Sequence, residues 1–245
     1  MLDVIGAILL TALAVILVAT FVPGLREGHG VTRTRLAVGL IAWFVVAALL
    51  GVTGAFASPV LPVGVAVGIA VFGPVLLGAR PIAITRGHGI PLTSLVGVHV
   101  GRVLGAAFLM LYSAGRLPFT LAHSAGWGDI ATGLLAIPVV WAIRRQIGGW
   151  RWIAGAWNAL GMADLLTAVT LAVGSAPGSL VRFNFEAPGS GAMVAFPWVL
   201  IPAFFVPIFL LTHIAVFASL AASARASAGE SRPVSGGSVR PVPAR

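Results

Sequence analysis

The chain has 245 residues, of which 59% are hydrophobic and 9% are charged, and its formal net charge is +9. This composition excludes an ordinary soluble domain. The absence of cysteine excludes disulfides, thiolate metal sites and cysteine nucleophiles, and the absence of lysine excludes a retinal or pyridoxal Schiff base.

Seven apolar stretches follow one another along the chain, each close to the ~20 residues that a helix needs to cross a ~30 Å hydrocarbon core. Their unbroken apolar runs, with Gly and Ala scattered through them, are typical of membrane helices rather than of alternating barrel strands. The sequence therefore predicts an all-α, polytopic membrane helix bundle with seven transmembrane helices. The predicted spans are 4–22, 37–57, 60–79, 94–114, 119–143, 152–174 and 198–221.

Arginines are distributed unevenly among the connections between these spans. Alternate connections carry 3, 2, 3 and 4 arginines, against 0, 0, 1 and 1 in the others. Because cytoplasmic connections carry the excess of basic residues, we expect the N-terminus outside and the C-terminus inside. The net charge then reflects topology and attraction to anionic lipids. No soluble segment has the basic, aromatic-interleaved stripe of a nucleic-acid-binding protein.

The chain is expected to form one domain, a seven-helix transmembrane domain over 1–222. The remaining segment, 223–245, is rich in Ala, Ser, Gly, Pro and Arg and has no apolar face to bury. The sequence predicts a disordered, basic cytoplasmic tail that is attracted to lipid headgroups.

Two aspartates lie inside predicted spans, and each ends a similar phrase. Asp129 closes Gly126-Trp-Gly-Asp129 in the fifth span, and Asp164 closes Gly161-Met-Ala-Asp164 in the sixth. A carboxylate in hydrocarbon costs roughly 2.5 kcal/mol or more, which marks it as a functional residue by default. The two spans form a hairpin. Counting about 1.5 Å per residue from its turn places both carboxyls at nearly equal depth, about 20 Å from the cytoplasmic ends.

Two carboxyl groups that share a dry site cannot both ionise cheaply, so one is expected to hold its proton near neutral pH. Such a group suits proton-coupled transport or general acid–base chemistry. The alternative is that both carboxyls stay protonated and act as packing contacts, hydrogen-bonded across helices or to Thr132 and Thr167.

Two more polar residues are candidates for the same site. Asn158 borders the face of the sixth span that carries Asp164, so an amide could join the carboxyls. Arg102 is the candidate counter-ion, although it lies about 12 Å in from the cytoplasmic end, several ångströms short of the aspartates. Its side chain leans toward the cytoplasm, so extension to the membrane surface competes with pairing.

Two histidines also lie within spans. Counting about 1.5 Å per residue places His99 in the fourth span and His213 in the seventh at the same depth, about 10 Å from the cytoplasmic side. Matching depth on different helices is what axial ligation of a b-type haem requires, and it is compatible with a transition metal. The alternative is a pair of ordinary hydrogen-bonded histidines with no cofactor.

Four phrases stand out between about 95 and 215: Arg102-Val-Leu-Gly105, Gly115-Arg-Leu-Pro118, Ala125-Gly-Trp-Gly-Asp129 and Trp157-Asn-Ala-Leu-Gly-Met-Ala-Asp164. In this combination the chain resembles a group of small bacterial multi-spanning inner-membrane proteins that carry no assigned activity. The resemblance implies a location in the bacterial cytoplasmic (inner) membrane and no particular chemistry.

The phrase Gly126-Trp-Gly-Asp129 also resembles the GxGD phrase of intramembrane aspartyl proteases, which pair it with a second membrane aspartate. Three features of the chain differ from that family. Its second aspartate, Asp164, follows the GxGD helix instead of preceding it, and no Pro-Ala-Leu phrase occurs in a later span. Arg102 could also hold the two aspartates ionised and inert.

Three classes of function remain open from the sequence. The favoured one is a non-enzymatic membrane protein whose Asp129/Asp164 site binds or moves a small solute or a proton. The second is a structural or accessory subunit that packs against a membrane-protein partner or further copies of itself. The third is enzymatic, either an intramembrane aspartyl protease or a haem-binding redox protein.

Overall fold

The computed structural model describes residues 1–24, 33–57 and 90–230, and these contain helices and loops but no β-strand. Six helical stretches are long and apolar enough to cross a membrane. They are Leu2–Pro23, Arg33–Val52, Leu92–Ser113, Phe119–Arg145, Trp150–Gly174 and Ile201–Arg225. Six of the predicted spans are confirmed, and they fit a multi-pass integral membrane protein. The predicted span at 60–79 lies outside the described residues.

The α-helices, numbered in chain order, are α1 (Leu2–Gly24), α2 (Arg33–Val52), α3 (Leu92–Gly97), α4 (Ala106–Ser113), α5 (Phe119–Arg145), α6 (Trp150–Gly174) and α7 (Val206–Glu230). A 3₁₀ segment, Val98–Gly105, joins α3 to α4 within one span, and a π-helical turn, Ile201–Phe205, precedes α7. Short 3₁₀ turns occupy Ala55–Ala57 and Gly191–Val194. Helix α7 continues past the predicted end of the membrane domain at 222, and 231–245 of the predicted tail lie outside the described residues.

Helices α5 and α6 form an antiparallel hairpin through a tight turn. Gln146 caps α5 in the left-handed region (φ 50°), and Gly149 precedes α6 with φ 79°. A left-handed residue at the end of a helix reverses the chain while satisfying its last carbonyl groups. The turn therefore sends α6 back along α5.

One end of the bundle is fixed by contacts to Asp3 at the start of α1; we call it the Asp3 end. The Asp3 carboxylate accepts hydrogen bonds from the Arg116 guanidinium at 2.5 Å and the Trp198 indole at 2.6 Å. Gly51, near the end of α2, packs against Val199 at this end. The turn between α5 and α6 lies at the opposite end, which we call the Arg145 end.

A proline in α7 is compensated by a side chain from α2. Pro207 has no N–H, so the carbonyl of Ala203, four residues earlier, loses its helical donor. The buried Trp43 donates its indole N–H to that carbonyl at 3.0 Å, and its ring meets Phe204 edge-on with centroids 5.4 Å apart. The packing of α2 on the π-helical turn before α7 thus depends on a polar contact inside an apolar core.

Candidate functional site

The 3₁₀ segment Val98–Gly105 positions the central residue of the site. In a 3₁₀ helix side chains three residues apart eclipse, so His99, Arg102 and Gly105 lie in one row. Each residue also rises ~2.0 Å instead of ~1.5 Å, which carries Arg102 about 2 Å deeper into the bundle than an α-helix would. The segment therefore brings Arg102 closer to the level of the aspartates than its sequence position predicts.

Arg102 is fully buried and donates to three other elements of the bundle. Its Nε binds Asp129 Oδ1 at 2.6 Å, and its Nη2 binds Asp164 Oδ2 at 2.5 Å. Its Nη1 donates to the Gly161 carbonyl at 3.0 Å and lies 3.2 Å from His213 Nε2. The side chains of the two aspartates remain 15% and 18% exposed. Two carboxylates thus share a single guanidinium, and Arg102 pairs with them instead of extending to the membrane surface.

The hydrogen bonds of His213 determine its protonation state. Its Nε2 faces an N–H of Arg102 and therefore accepts a hydrogen bond from it. Its Nδ1 lies 2.8 Å from Asn158 Oδ1 and donates a hydrogen bond to that oxygen. Asn158 also donates to the His213 carbonyl at 3.0 Å. His213 is therefore neutral. Asn158 orients this imidazole and makes no hydrogen bond to the carboxylates.

Among the described residues, the threonines proposed as partners of the aspartates make no hydrogen bond to them. The Thr167 hydroxyl donates to the Ala163 carbonyl at 2.9 Å, and it is the backbone carbonyl of Thr132, not its hydroxyl, that accepts the Trp157 indole N–H at 3.1 Å. The carboxylates are held by Arg102 instead. With both carboxylates ionised, the cluster of Arg102, Asp129 and Asp164 carries one net negative charge.

His99 and His213 are stacked on each other rather than opposed across a ligand site. Their ring centroids lie 4.1 Å apart at an interplanar angle of 38°. His99 Nε2 bonds the Thr212 hydroxyl at 2.9 Å, and that hydroxyl donates to the Phe209 carbonyl. Axial ligation would need both Nε2 atoms free and directed at an iron between the rings, so this arrangement does not fit a haem. The described ranges contain no group of three or more His, Asp or Glu residues that could hold a metal ion.

Glycines allow the close approach of the helices around this cluster. A Cβ atom at Gly105 would overlap Asp129 Cβ, and one at Gly128 would overlap Asp164 Oδ1. Gly126 and Gly133 likewise face the backbone of the 3₁₀ segment. The glycines of the GxGD phrase thus have a packing role of their own. An aspartyl protease holds its two carboxyl groups facing each other. Here the Arg102 guanidinium lies between the carboxyl groups of Asp129 and Asp164.

A cleft of about 580 Å³ runs between α5 and α6. Asp164 and Thr132 line the cleft near the middle of the two helices, and Ile147 and Ile153 line it toward the Arg145 end. The rest of the lining is apolar, with the rings of Trp141 and Trp157 and the side chains of Leu135, Pro138 and Leu160. Leu160 is 71% exposed, so the cleft opens on the outer surface of the bundle.

Two residues that no sequence pattern singled out are Thr212, which hydrogen-bonds His99, and Trp43, which donates to the Ala203 carbonyl. Thr212 carries no signal beyond its place beside His213. An indirect signal for Trp43 is Pro207, because a proline leaves the carbonyl four residues earlier without its helical donor and a tryptophan indole can supply one N–H.

The family model described as "Domain of unknown function (DUF8737)" matches residues 60–221, more than half of the chain. No curated protein and no solved structure matches the chain.

Proposed function

Because the chain belongs to the family described as "Domain of unknown function (DUF8737)", a description without an activity, we propose its function from the site itself. The protein is an inner-membrane protein that binds a proton at the Arg102–Asp129–Asp164 cluster and couples that proton to the movement of a small solute. Asp164 is the group that takes up the proton.

One observation carries this proposal, the sharing of one buried guanidinium by two carboxylates. A net charge inside hydrocarbon is costly, and the cluster becomes neutral when one proton is added. Asp164 lines the cleft, whereas Asp129 faces Gly105 on the 3₁₀ segment. Asp164 is therefore the carboxyl that a solute in the cleft meets.

The same proposal includes seven spans with the N-terminus outside. Helix α2 ends at the Asp3 end, whereas α3 begins at the Arg145 end, because Gly97 approaches Val140 near the end of α5. These opposite ends support the proposed span at 60–79, which would connect them. At the Arg145 end the described arginines are Arg33, Arg35, Arg144, Arg145, Arg151 and Arg225, which favours that end as cytoplasmic.

The proton site is tested by pH-difference infrared spectroscopy of the protein in lipid nanodiscs. We expect a protonated-carboxyl band that grows as the pH falls from about 8 to about 6 and is absent from Asp164→Asn. Glu186→Gln, which removes an exposed carboxyl in a loop, is the matched control and should leave the band unchanged.

A band that persists in Asp164→Asn would contradict the assignment to this residue. If no band titrates at all, the cluster is a fixed ion pair with a structural role, and the proposed function fails. In proteoliposomes, proton uptake reported by an internal pH dye should be lost in Asp164→Asn and kept in Glu186→Gln.

A further inference from the structure

The cleft between α5 and α6 combines an apolar wall with a partly compensated carboxylate. We propose that it binds an amphipathic organic cation, with the charged group at Asp164 and the apolar part along the cleft. This inference rests on the proposed function, because the carboxylate that takes up the proton is the one that meets the cation.

Charge favours a cation over other occupants. Arg102 neutralises only one of the two carboxylates, so the cluster retains one negative charge when both are ionised. In a medium of low dielectric constant this charge attracts a cation and repels an anion. A bound cation and a bound proton neutralise the same charge, so each excludes the other. Cation binding therefore releases a proton, which is the coupling that exchange of one for the other requires.

Size and lining favour an organic cation over a metal ion. The cleft encloses about 580 Å³, within the range of sites for small organic molecules. Its wall offers the Trp141 and Trp157 rings, whose faces attract cations, and the aliphatic side chains of Leu135 and Leu160. Oδ2 of Asp164 accepts a hydrogen bond from Arg102. Its other oxygen, Oδ1, accepts no hydrogen bond from the described residues.

The position of the cleft sets the route of entry. Trp141 and Leu160 are 57% and 71% exposed on the outer surface of helices that cross the membrane. A ligand thus enters sideways from the bilayer, where amphipathic cations concentrate and metal ions do not.

The pH dependence follows from the groups that face Asp164. These are the Arg102 guanidinium from the 3₁₀ segment, the Asp129 carboxylate from α5 and, through Arg102, the neutral His213 from α7. Protonation of Asp164 removes the net charge, so cation binding weakens as the pH falls and strengthens as it rises.

Tetraphenylphosphonium is a suitable probe, and tetraphenylborate is an anion of nearly the same shape. Binding to the full chain in nanodiscs of zwitterionic lipid is measured by equilibrium dialysis, with empty nanodiscs giving the lipid background. We expect saturable binding of the cation that becomes about tenfold weaker or more in Asp164→Asn, and no saturable binding of the anion.

Leu160→Trp fills the cleft without changing any charge, and we expect it to abolish cation binding while the infrared carboxyl band remains. Leu166→Trp, on an exposed face of α6 outside the cleft, is the matched control and should bind as the wild type does. Equal binding by Leu160→Trp and wild type, or by the cation and the anion, would overturn the inference and leave the proton site intact. A missing carboxyl band together with retained cation binding would instead refute the proposed function.

Discussion

At the scale of single residues, Arg102 connects the 3₁₀ segment to α5, α6 and α7 through the planar donors of one guanidinium. An arginine can do this because its donors point in fixed, separate directions in one plane, whereas a lysine ammonium is a point charge on a flexible stem. The identity of this residue therefore matters as much as its charge. Most of the cluster's geometry is set by that single side chain.

Replacing Arg102 by lysine keeps the charge but cannot reproduce the four contacts. We expect Arg102→Lys to lower the free energy of unfolding by about 3 kcal/mol, because a carboxylate loses its buried partner. Thermal unfolding in detergent measures the change, and Arg144→Lys at the exposed turn is the control. Equal midpoints for the two variants would show that the guanidinium geometry is not needed.

Glu186 gives the molecule a pH-dependent contact outside the membrane-spanning segments. Its exposed carboxylate accepts the Thr120 backbone N–H at 3.0 Å and the Thr120 hydroxyl, at the start of α5. These hydrogen bonds hold the pKa of Glu186 below its ordinary value of 4.5. A lowered pKa in the folded chain means that the contact stabilises above the ordinary value and is lost as the pH falls through the lowered one.

We therefore expect the Thr120 amide to be protected from hydrogen exchange at neutral pH and still protected near pH 4.5, the ordinary pKa of the group. Protection should fall only at more acidic pH, after correction for the intrinsic exchange rate. Glu186→Gln should remove the pH dependence of protection. A midpoint at or above the ordinary value in the wild type would contradict the contact.

At the scale of elements, hydropathy predicted the spans because burial in lipid requires about 20 apolar residues, whatever their order. It could not predict the 3₁₀ segment, because the weak helix formers of Val98–Gly105, its valines and glycines, also occur within the regular helices α5 and α6 and do not mark a change of helix type. The depth assigned to Arg102 was too shallow for that reason. Counting residues gives the depth of a side chain but not its direction. His99 and His213 therefore lie at a similar depth, but their rings stack on each other and do not face a common ligand.

The contact between α2 and the π-helical turn before α7 leads to a prediction at this scale. Trp43→Phe leaves the Ala203 carbonyl buried without its indole donor, at a cost of about 1–3 kcal/mol. Pro207→Ala restores a backbone N–H four residues after Ala203, so Trp43→Phe should cost less in that background. Unfolding midpoints of the two single variants and the double variant measure the coupling.

The control for this cycle is Trp152→Phe, because Trp152 is 85% exposed. It should change stability little in either background. If Trp43→Phe costs the same with and without Pro207, the indole does not replace the missing helical donor.

At the scale of the whole molecule, the two ends differ in charge. The described charged residues at the Asp3 end are Asp3, Arg116, Arg182 and Glu186, a balanced set, whereas the Arg145 end carries six arginines against one acidic residue, Glu230 at the end of α7. We propose that the arginine-rich end is the cytoplasmic one, because attraction to anionic lipids and the positive-inside rule both favour this orientation. In this orientation the cleft would extend from the middle of the membrane toward the cytoplasmic side.

The proposed orientation is directly measurable because the chain has no cysteine of its own. Leu180→Cys lies in a fully exposed loop at the Asp3 end, and Gly148→Cys lies in the turn at the Arg145 end, where an added Cβ meets no atom within 4 Å. A membrane-impermeant maleimide should label the first variant in intact cells and the second only after permeabilisation. The reverse pattern would place the arginine-rich end outside.

The contact between Gly128 and the Asp164 carboxylate has a consequence for how such a chain can change over evolutionary time. A methyl group at 128 would occupy the position of an Asp164 oxygen, so a side chain there would push the carboxylate out of its ion pair with Arg102. We therefore expect loss of Asp164 to precede loss of Gly128 in a lineage that abandons the site. Family members that carry a side chain at this position are expected to lack the aspartate, and their histories should show the two substitutions in that order.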